Sequence, residues 1–392
     1  MLPRPVLVVI GVVVVLLGSV ACRAESGGPP PPRPVEVPWQ SAVLPAPPGP
    51  AGRLLVRDVV ACAGRWYVVG GSDAGADQTR PAAWTSPDGV TWTSVPVAPV
   101  TYYGEQNVLY AAGCRDDRLA VLGAKNGGAH GNPRTSNWHL AGGRLVEMAA
   151  PFELYGGPNA VNVARVAGGT AGWLIVGARR DGAAAWVSTD GVRFELIEGA
   201  PELAGDARGR TTAYDVVATP AGWLAVGGLL VPGRTTLSPL VWTSADGRAW
   251  QRVPVAGADE PGQPRRVTMV GTTPVAVGPA GTGFAAWRPD GAGWRVAARF
   301  GSASGTVVPT VSGLAAGDGR LVAVTVDGAG HSFWVSGDTG GSWRPMTGPG
   351  ASVPAGGDKA VAVAVSAGRL VVVVDDGGRS GVWWAVLPAE SG

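Results

Sequence analysis

The sequence predicts an all-β chain folded as a seven-bladed β-propeller, and three observations carry that expectation. One short motif, Ser86-Pro87-Asp88-Gly89-Val90-Thr91-Trp92, returns around Asp190-Gly191, Asp246-Gly247, Asp290-Gly291 and Asp338-Thr339-Gly340. Around it a longer pattern recurs about every fifty residues, marked by Gly70, Gly123, Gly177, Gly227, Gly278, Thr325 and Val374. The tryptophans, 16 in all, fall almost entirely at three places within that repeat. A constant internal period settles the architecture before any single strand is assigned.

Within each repeat the elements follow in one order. A short apolar strand and Gly-rich punctuation precede a second strand such as Arg65 to Gly70 or Gly222 to Gly227. A variable loop leads to a third strand ending in Trp and the Asp motif, and a fourth strand such as Trp92 to Val97 closes the unit. The segments are short, rich in Val and Trp and bounded by turn residues, with no useful helical periodicity. Four strands joined by tight turns make one blade.

Repeat two keeps its strands but has no acid in Trp138 to Gly143, and repeat seven ends after Trp383 to Leu387 with three strands. The segment Val37 to Leu44 looks like Ala249 to Val255, the fourth strand of repeat four. The N-terminal strand is therefore expected to complete the last blade, which removes the open sheet edges that invite aggregation. Trp66, Trp173 and Trp223 start second strands. Trp84, Trp138, Trp186, Trp242, Trp287, Trp334 and one of Trp383 and Trp384 end third strands. Trp39, Trp92, Trp250, Trp294 and Trp343 open fourth strands. Residues in register with the repeat are read as packing between blades rather than as a binding surface.

Ahead of the repeats, Met1 to Ala21 reads as an export signal. Arg4 is its only charge, and the apolar run Val6 to Leu17 is shorter than a span of roughly 20 residues needs. Residues 22–34, with Gly27, Gly28 and Pro29 to Pro32, read as a stiff polar tether, and the propeller as residues 35–392. Ser19-Val20-Ala21-Cys22 resembles the lipobox of bacterial lipoproteins, although Ser19 stands where that motif prefers Leu. The resemblance implies lipidation at Cys22 and anchoring on the outer face of the cell membrane; without it the chain is secreted. Cys62 and Cys114 then lie in an oxidising compartment. They sit eight and nine residues before the markers Gly70 and Gly123, so a bridge between neighbouring repeats is expected, the alternative being two small buried residues.

The net charge is +2, from 31 basic and 29 acidic residues, which leaves no field for nucleic acid. Lys125 and Lys359 are the only lysines; that bias with the Gly, Ala, Val and Pro excess suggests a GC-rich, actinobacterial genome.

In the recurring motif, Asp accepts turn N–H groups, Gly takes positive φ, Ser adds a local hydrogen bond and Trp packs beneath. Asp88, Asp190, Asp246, Asp290 and Asp338 are accordingly read as structural. The motif resembles the Asp box, or BNR repeat, of sialidase-like β-propellers. Ser336, Asp338, Gly340 and Trp343 match it in full; the other copies are one residue shorter, and Arg288 replaces Ser. The resemblance implies the fold over residues 35–392 and says little of activity. It also implies that a ligand site would be on the face opposite the Asp boxes. Long loops expected there are Ser72 to Pro81, Ala124 to Asn137, Leu229 to Pro239, Pro151 to Asn159 and Gly199 to Arg210.

A sialidase would carry three arginines on a carboxylate, a Tyr–Glu nucleophile pair and an Asp acid. No Arg-Ile-Pro sequence starts the domain; Tyr102, Tyr103 and Glu105, or Glu153 and Tyr155, could supply the pair. A clearer constellation comes from aligning first strands. Asp58, Arg165, Asp215 and Arg266 lie eight residues before their second strands, near the mouth of the central channel. They are read as an interblade ion-pair ladder or, alternatively, as a polar site for a small ligand or ion with Arg165 and Arg266 as anion contacts. His130, His139 and His331 have no metal spacing, and no cofactor is expected. The reading is a monomeric, non-enzymatic platform that binds a protein or carbohydrate through its loop-rich face. A sialidase-type glycoside hydrolase is the alternative.

Overall fold

Seven sheets follow one another along the chain, each built on four antiparallel strands laid out from an inner strand to an outer one. The structure is a computed structural model, which describes residues 32–75, 78–126 and 133–387. The export signal, Cys22, the tether as far as residue 31 and His130 lie outside the described residues. Arg33–Gly392 is one compact unit, a seven-bladed β-propeller.

The inner strands are Arg53–Cys62, Val108–Arg115, Ala160–Gly169, Arg210–Thr219, Arg266–Val270, Thr310–Gly317 and Ala360–Ser366. The outer strand of the last blade is Gln40–Ala42, paired with Ser380–Val386 through Gln40↔Trp384, Ser41↔Trp383 and Ala42↔Val382. The N-terminal segment thus closes the ring. Blade two departs from the four-strand expectation: Val97–Ala98, leaving blade one, pairs in parallel with Arg144–Met148 as a fifth strand.

The core is divided among the interfaces between blades. Seven apolar clusters each draw on two neighbouring blades, such as Val56, Val68 and Trp84 with Val371, Val373 and Val382. Twelve tryptophans are buried, consistent with their register in the repeat. Three third-strand indoles also hold the chain that enters their blade: Trp84, Trp186 and Trp242 donate to the Pro45, Leu154 and Glu202 carbonyls at 2.8, 2.6 and 2.9 Å. Cys62 and Cys114 are bridged, joining the inner strands of blades one and two. A disulfide closing a loop of this size contributes on the order of 2–4 kcal/mol.

Four of the Asp–Gly turns share one network. In the first, the Asp88 carboxylate accepts the N–H groups of Val90 and Thr91, both at 2.8 Å, while Ser86 Oγ accepts the Gly89 N–H at 2.8 Å. Gly89 takes φ +73, and Trp92 donates its indole N–H to the Gly89 carbonyl. Asp190, Asp246 and Asp338 repeat the scheme. Asp290 does not, which corrects the reading of five equivalent turns. With Arg288 in place of Ser there is no hydroxyl for the network, and the hairpin pairs down to Asp290↔Gly293. The Asp290 carboxylate instead meets Arg295 Nε at 3.2 Å.

These turn bonds have a pH signature. The N–H groups of Thr91 and Val90 hold the Asp88 pKa down at about 2. At Asp190 burial pushes upward, but the Arg193 and Val192 N–H groups outweigh it and the net shift is down. A carboxylate whose pKa is lower folded than unfolded stabilises the fold above the unfolded value and loses that contribution as pH falls through the folded one. Melting temperature should therefore fall between about pH 4 and pH 2, and fall less steeply in Asp88→Asn. Identical pH profiles for the two proteins would show that the turn carboxylate contributes nothing.

Candidate functional site

In an antiparallel blade the turns between first and second and between third and fourth strands emerge on one face. The loops between second and third strands and the connections between blades emerge on the other. The Asp–Gly turns occupy the first face. The second carries the longer loops, and two groups of residues stand out there and in the channel below it.

The channel group is built by a shared backbone irregularity. Register shifts fall between Val56 and Asp58, Leu109 and Ala111, Val163 and Arg165, Ala213 and Asp215, and Val311 and Gly313. The extra residues are Arg57, Tyr110, Ala164, Tyr214 and Ser312; Arg265 holds the equivalent place in blade five, where its N–H bonds the Val277 carbonyl beside the Arg266↔Val277 pair. A bulge re-aims the side chains at and beside it. It also explains the marker glycines, since a Cβ at Gly70, Gly227 or Gly278 would run into the Leu55, Thr212 or Gln263 carbonyl.

The four charges aligned from the sequence are brought into this layer. Asp58, nearly fully buried, accepts the Ala112 N–H of blade two and the Arg165 guanidinium of blade three, each at 3.0 Å. Asp215 accepts the Val267 N–H of blade five at 3.0 Å, and Arg266 donates to the Ser312 carbonyl of blade six at 3.1 Å. Each residue therefore bonds a blade other than its own. Burial opposes the Arg165 charge, yet Asp58 and Asp215 more than offset it and its pKa rises. Burial raises Asp215 against the pull of Arg266 and Arg165. Arg266 is drawn down to about 10 by burial and by Arg165. A second set closes the seam of the ring: Asp375 of blade seven accepts Arg53 and Arg57 of blade one at 2.6 and 2.5 Å. Sequence alignment did not find this set, because Asp375 is on a second strand and Arg57 is a bulge residue.

Three cavities lie side by side over blades one to three. The first, about 280 Å³, is lined by Arg57, Tyr110, Asn126, Thr135, Tyr155 and Val161 among others. The second, about 250 Å³, shares Pro133 and Thr135 with it and adds Tyr103, Arg134 and Phe152. The third, about 700 Å³, includes Arg80, Tyr102, Glu105 and Gln106. Tyr102 and Phe152 are 71% and 50% exposed. Arg134 is stacked between two rings, 4.2 Å from the Phe152 centroid and 5.2 Å from that of Tyr103.

The buried Glu147 shapes this surface. It accepts the N–H groups of Val100 and Thr101 at 2.7 and 2.8 Å and the hydroxyls of Thr101 and Ser136 at 2.7 Å. Three of these donors belong to the loop that presents Tyr102 and Tyr103, and the fourth ties it to the strand that carries Ser136. Nothing in the sequence marked Glu147, since its partners are distant along the chain.

The Tyr–Glu pairs suggested from sequence do not assemble as nucleophiles. Tyr155 is buried in the helical turn Phe152–Tyr155, with its hydroxyl 3.1 Å from Asn137 Oδ1, and burial pushes its pKa well up. Tyr102 and Tyr103 stack edge to face at 5.3 Å, and no tyrosine hydroxyl meets a carboxylate among the described residues. His331 Nδ1 faces the Val353 carbonyl at 3.0 Å, and burial lowers both His139 and His331. No metal-binding cluster occurs among the described residues.

Comparison with solved structures places the chain among other propellers. It is similar to YCF48 bound to a D1 peptide, with a TM-score of 0.52 and 12% identity over 91% of this chain and 97% of that one. It is similar to the extracellular domain assigned to a hybrid two-component system of B. thetaiotaomicron, at 0.51 and 11% over 88% of this chain and 39% of that one. Trypanosoma rangeli sialidase is matched at 0.45 and 10%, over 85% of this chain and 54% of that one. At these identities the likeness shows the fold alone. No protein-family model and no curated protein matches the sequence.

The channel network predicts that Arg165→Ala destabilises the protein with no ligand present. It would leave the Asp58 carboxylate buried with one partner fewer, at a cost of about 3 kcal/mol. The check is a double-mutant cycle in urea with Asp58→Ala: coupling near zero would remove the ion pair from the account of stability.

Proposed function

We propose that this chain is a non-enzymatic binding platform that takes an extended peptide segment of a protein partner across the tops of blades one to three. The observation that carries the reading is the row of three cavities bordered by exposed Tyr102, Tyr103 and Phe152 and by the stacked Arg134. Aromatic residues and arginine dominate binding hot spots, and a succession of separate pockets suits alternate side chains of an extended chain. YCF48, of similar size and fold, is described with a peptide bound, which supports a peptide over a carbohydrate. The acids of four of the five Asp–Gly turns are spent on backbone N–H groups on the opposite face, as the Asp-box resemblance implies for a propeller of that type.

Purified propeller panned against a random peptide library should yield binders whose affinity falls by about tenfold or more in Tyr103→Ala and Phe152→Ala. Selection of glycans instead, with the same dependence on those residues, would move the reading to a carbohydrate platform. Turnover of a fluorogenic sialoside would overturn the non-enzymatic reading.

The second part of the proposal is location. Export by residues 1–21 and lipidation of Cys22 would hold the monomeric propeller on the outer face of the cell membrane through its Pro-rich tether. Replacing Cys22 with Ala should move the protein from the membrane fraction to the soluble one. Retention on the membrane would exclude a lipid anchor at that residue.

A further inference from the structure

The cavities over blades one to three are walled in a way that restricts the peptide they fit. Pro48, Pro50, Pro81 and Pro99 line the largest, and Pro133 and Pro151 line the second. Proline has no N–H, so these walls cannot pair with a peptide backbone as a sheet edge does. The donors of the loop between them are spent as well. Val100 and Thr101 donate their N–H groups to Glu147, and Gly104 donates to the Thr101 hydroxyl. Glu105, Gln106 and Asn107 donate to carbonyls of the same loop. A strand laid across this loop would find none of those six donors free.

The chain itself shows another way to hold an extended segment on this face. Residues 45–50, Pro-Ala-Pro-Pro-Gly-Pro, belong to no strand and run beside the third strand of blade one, Thr79–Ser86. Side chains of that strand carry them. The Trp84 indole donates to the Pro45 carbonyl at 2.8 Å, and Arg80 donates to the carbonyls of Pro48, at 2.7 Å, and Pro50. An indole and a guanidinium thus supply what backbone N–H groups supply in a sheet. Arg134 offers the same donors with nothing on them. Phe152 and Tyr103 hold its plane, and it makes no hydrogen bond or ion pair among the described residues.

Building on the peptide reading above, we infer that the occupant is a proline-rich segment in the polyproline II conformation, crossing the Tyr102–Tyr103 ridge from the second cavity into the third. Its pyrrolidine rings pack on Tyr102, Tyr103 and Phe152, and one of its backbone carbonyls accepts from Arg134. The two tyrosines form the ridge because Tyr103 lines one cavity, Tyr102 lines the other, and their rings meet edge to face. A polyproline II helix has three residues per turn, so residues i and i+3 return to one side about 9 Å apart and can straddle it. Such a helix needs no ladder of backbone bonds, only donors for its exposed carbonyls. It is also ordered before it binds, which lowers the entropy cost. An acidic peptide would answer Arg134, but the proline walls and the rings offer its carboxylates nothing.

The test pans the purified propeller against two phage-displayed peptide libraries, one with proline fixed at positions i and i+3 and one free of proline. Binders are expected from the first. Their affinity, read by fluorescence anisotropy, should fall about tenfold or more when both prolines become alanine. An equal loss is expected in Tyr102→Ala, whose ring is 71% exposed and whose removal leaves the core untouched. Arg134→Gln should also weaken binding, whereas Tyr103→Phe, which keeps the ring, should not. Binders from the proline-free library with the same dependence on Tyr102 would overturn this inference and leave the peptide platform standing. So would acidic binders that need Arg134 but not Tyr102. Proline-dependent binding indifferent to both Tyr102→Ala and Arg134→Gln would put the segment elsewhere and overturn it too. No binder from either library would overturn the inference and the platform together.

Discussion

A blade of this protein cannot bury either of its faces by itself, and that constraint organises the rest. Each apolar cluster is assembled from two blades, so every sheet needs a neighbour on both sides and the ring must close. Closure falls where the last blade meets the first: the last blade takes its outer strand from the other end of the chain, and residues 43–52 lead from that strand into blade one. Two devices meet there. Gln40–Ala42 adds the missing outer strand, and Asp375 takes two arginines from the inner strand of blade one. The first is backbone hydrogen bonding, indifferent to side chains; the second is charge, and fully desolvated on the aspartate side.

The same economy of space links the glycines to the channel. Where an inner strand bulges, its carbonyl is pushed onto the second strand, and glycine opposite avoids the collision. The bulge in turn sends consecutive side chains toward the axis, which is how Arg57 and Asp58, Tyr214 and Asp215, and Arg265 and Arg266 come to share one layer. Blade seven has no shift in its inner strand and carries Val374 in place of glycine. Blade six keeps the bulge with Thr325 at that place, whose hydroxyl accepts the Trp334 indole, so glycine is the common solution and not the required one.

What could be read from the sequence was whatever repeats. Trp, Gly and Asp recur because every blade solves the same packing and turn problem, and the period alone located the seven blades and the N-terminal closing strand. The structural consequences of two departures from the repeat were not legible. The parallel strand Val97–Ala98 is too short to carry a pattern, and the altered turn at Asp290 depends on a hydroxyl whose loss at Arg288 looked minor. The loop-face site was legible as a region and not as residues. Arg134, Tyr103 and Phe152 come from three segments, and only folding shows that one guanidinium lies between two rings.

The two faces differ for a physical reason. On the turn face, the carboxylates of Asp88, Asp190 and Asp246 are bonded by backbone N–H groups two and three residues away, so their charge is engaged by local chain geometry. On the loop face the buried Glu147 is also bonded by backbone N–H groups, but these belong to the loop that carries Tyr102 and Tyr103. A carboxylate spent on order in one place makes turns, and in the other it makes a surface. Ordering such a surface before a partner arrives lowers the entropy cost of binding. Presentation of Tyr102 and Tyr103 on a loop held by Glu147 suits the peptide platform proposed above, because exposed rings contribute little to a core they do not enter.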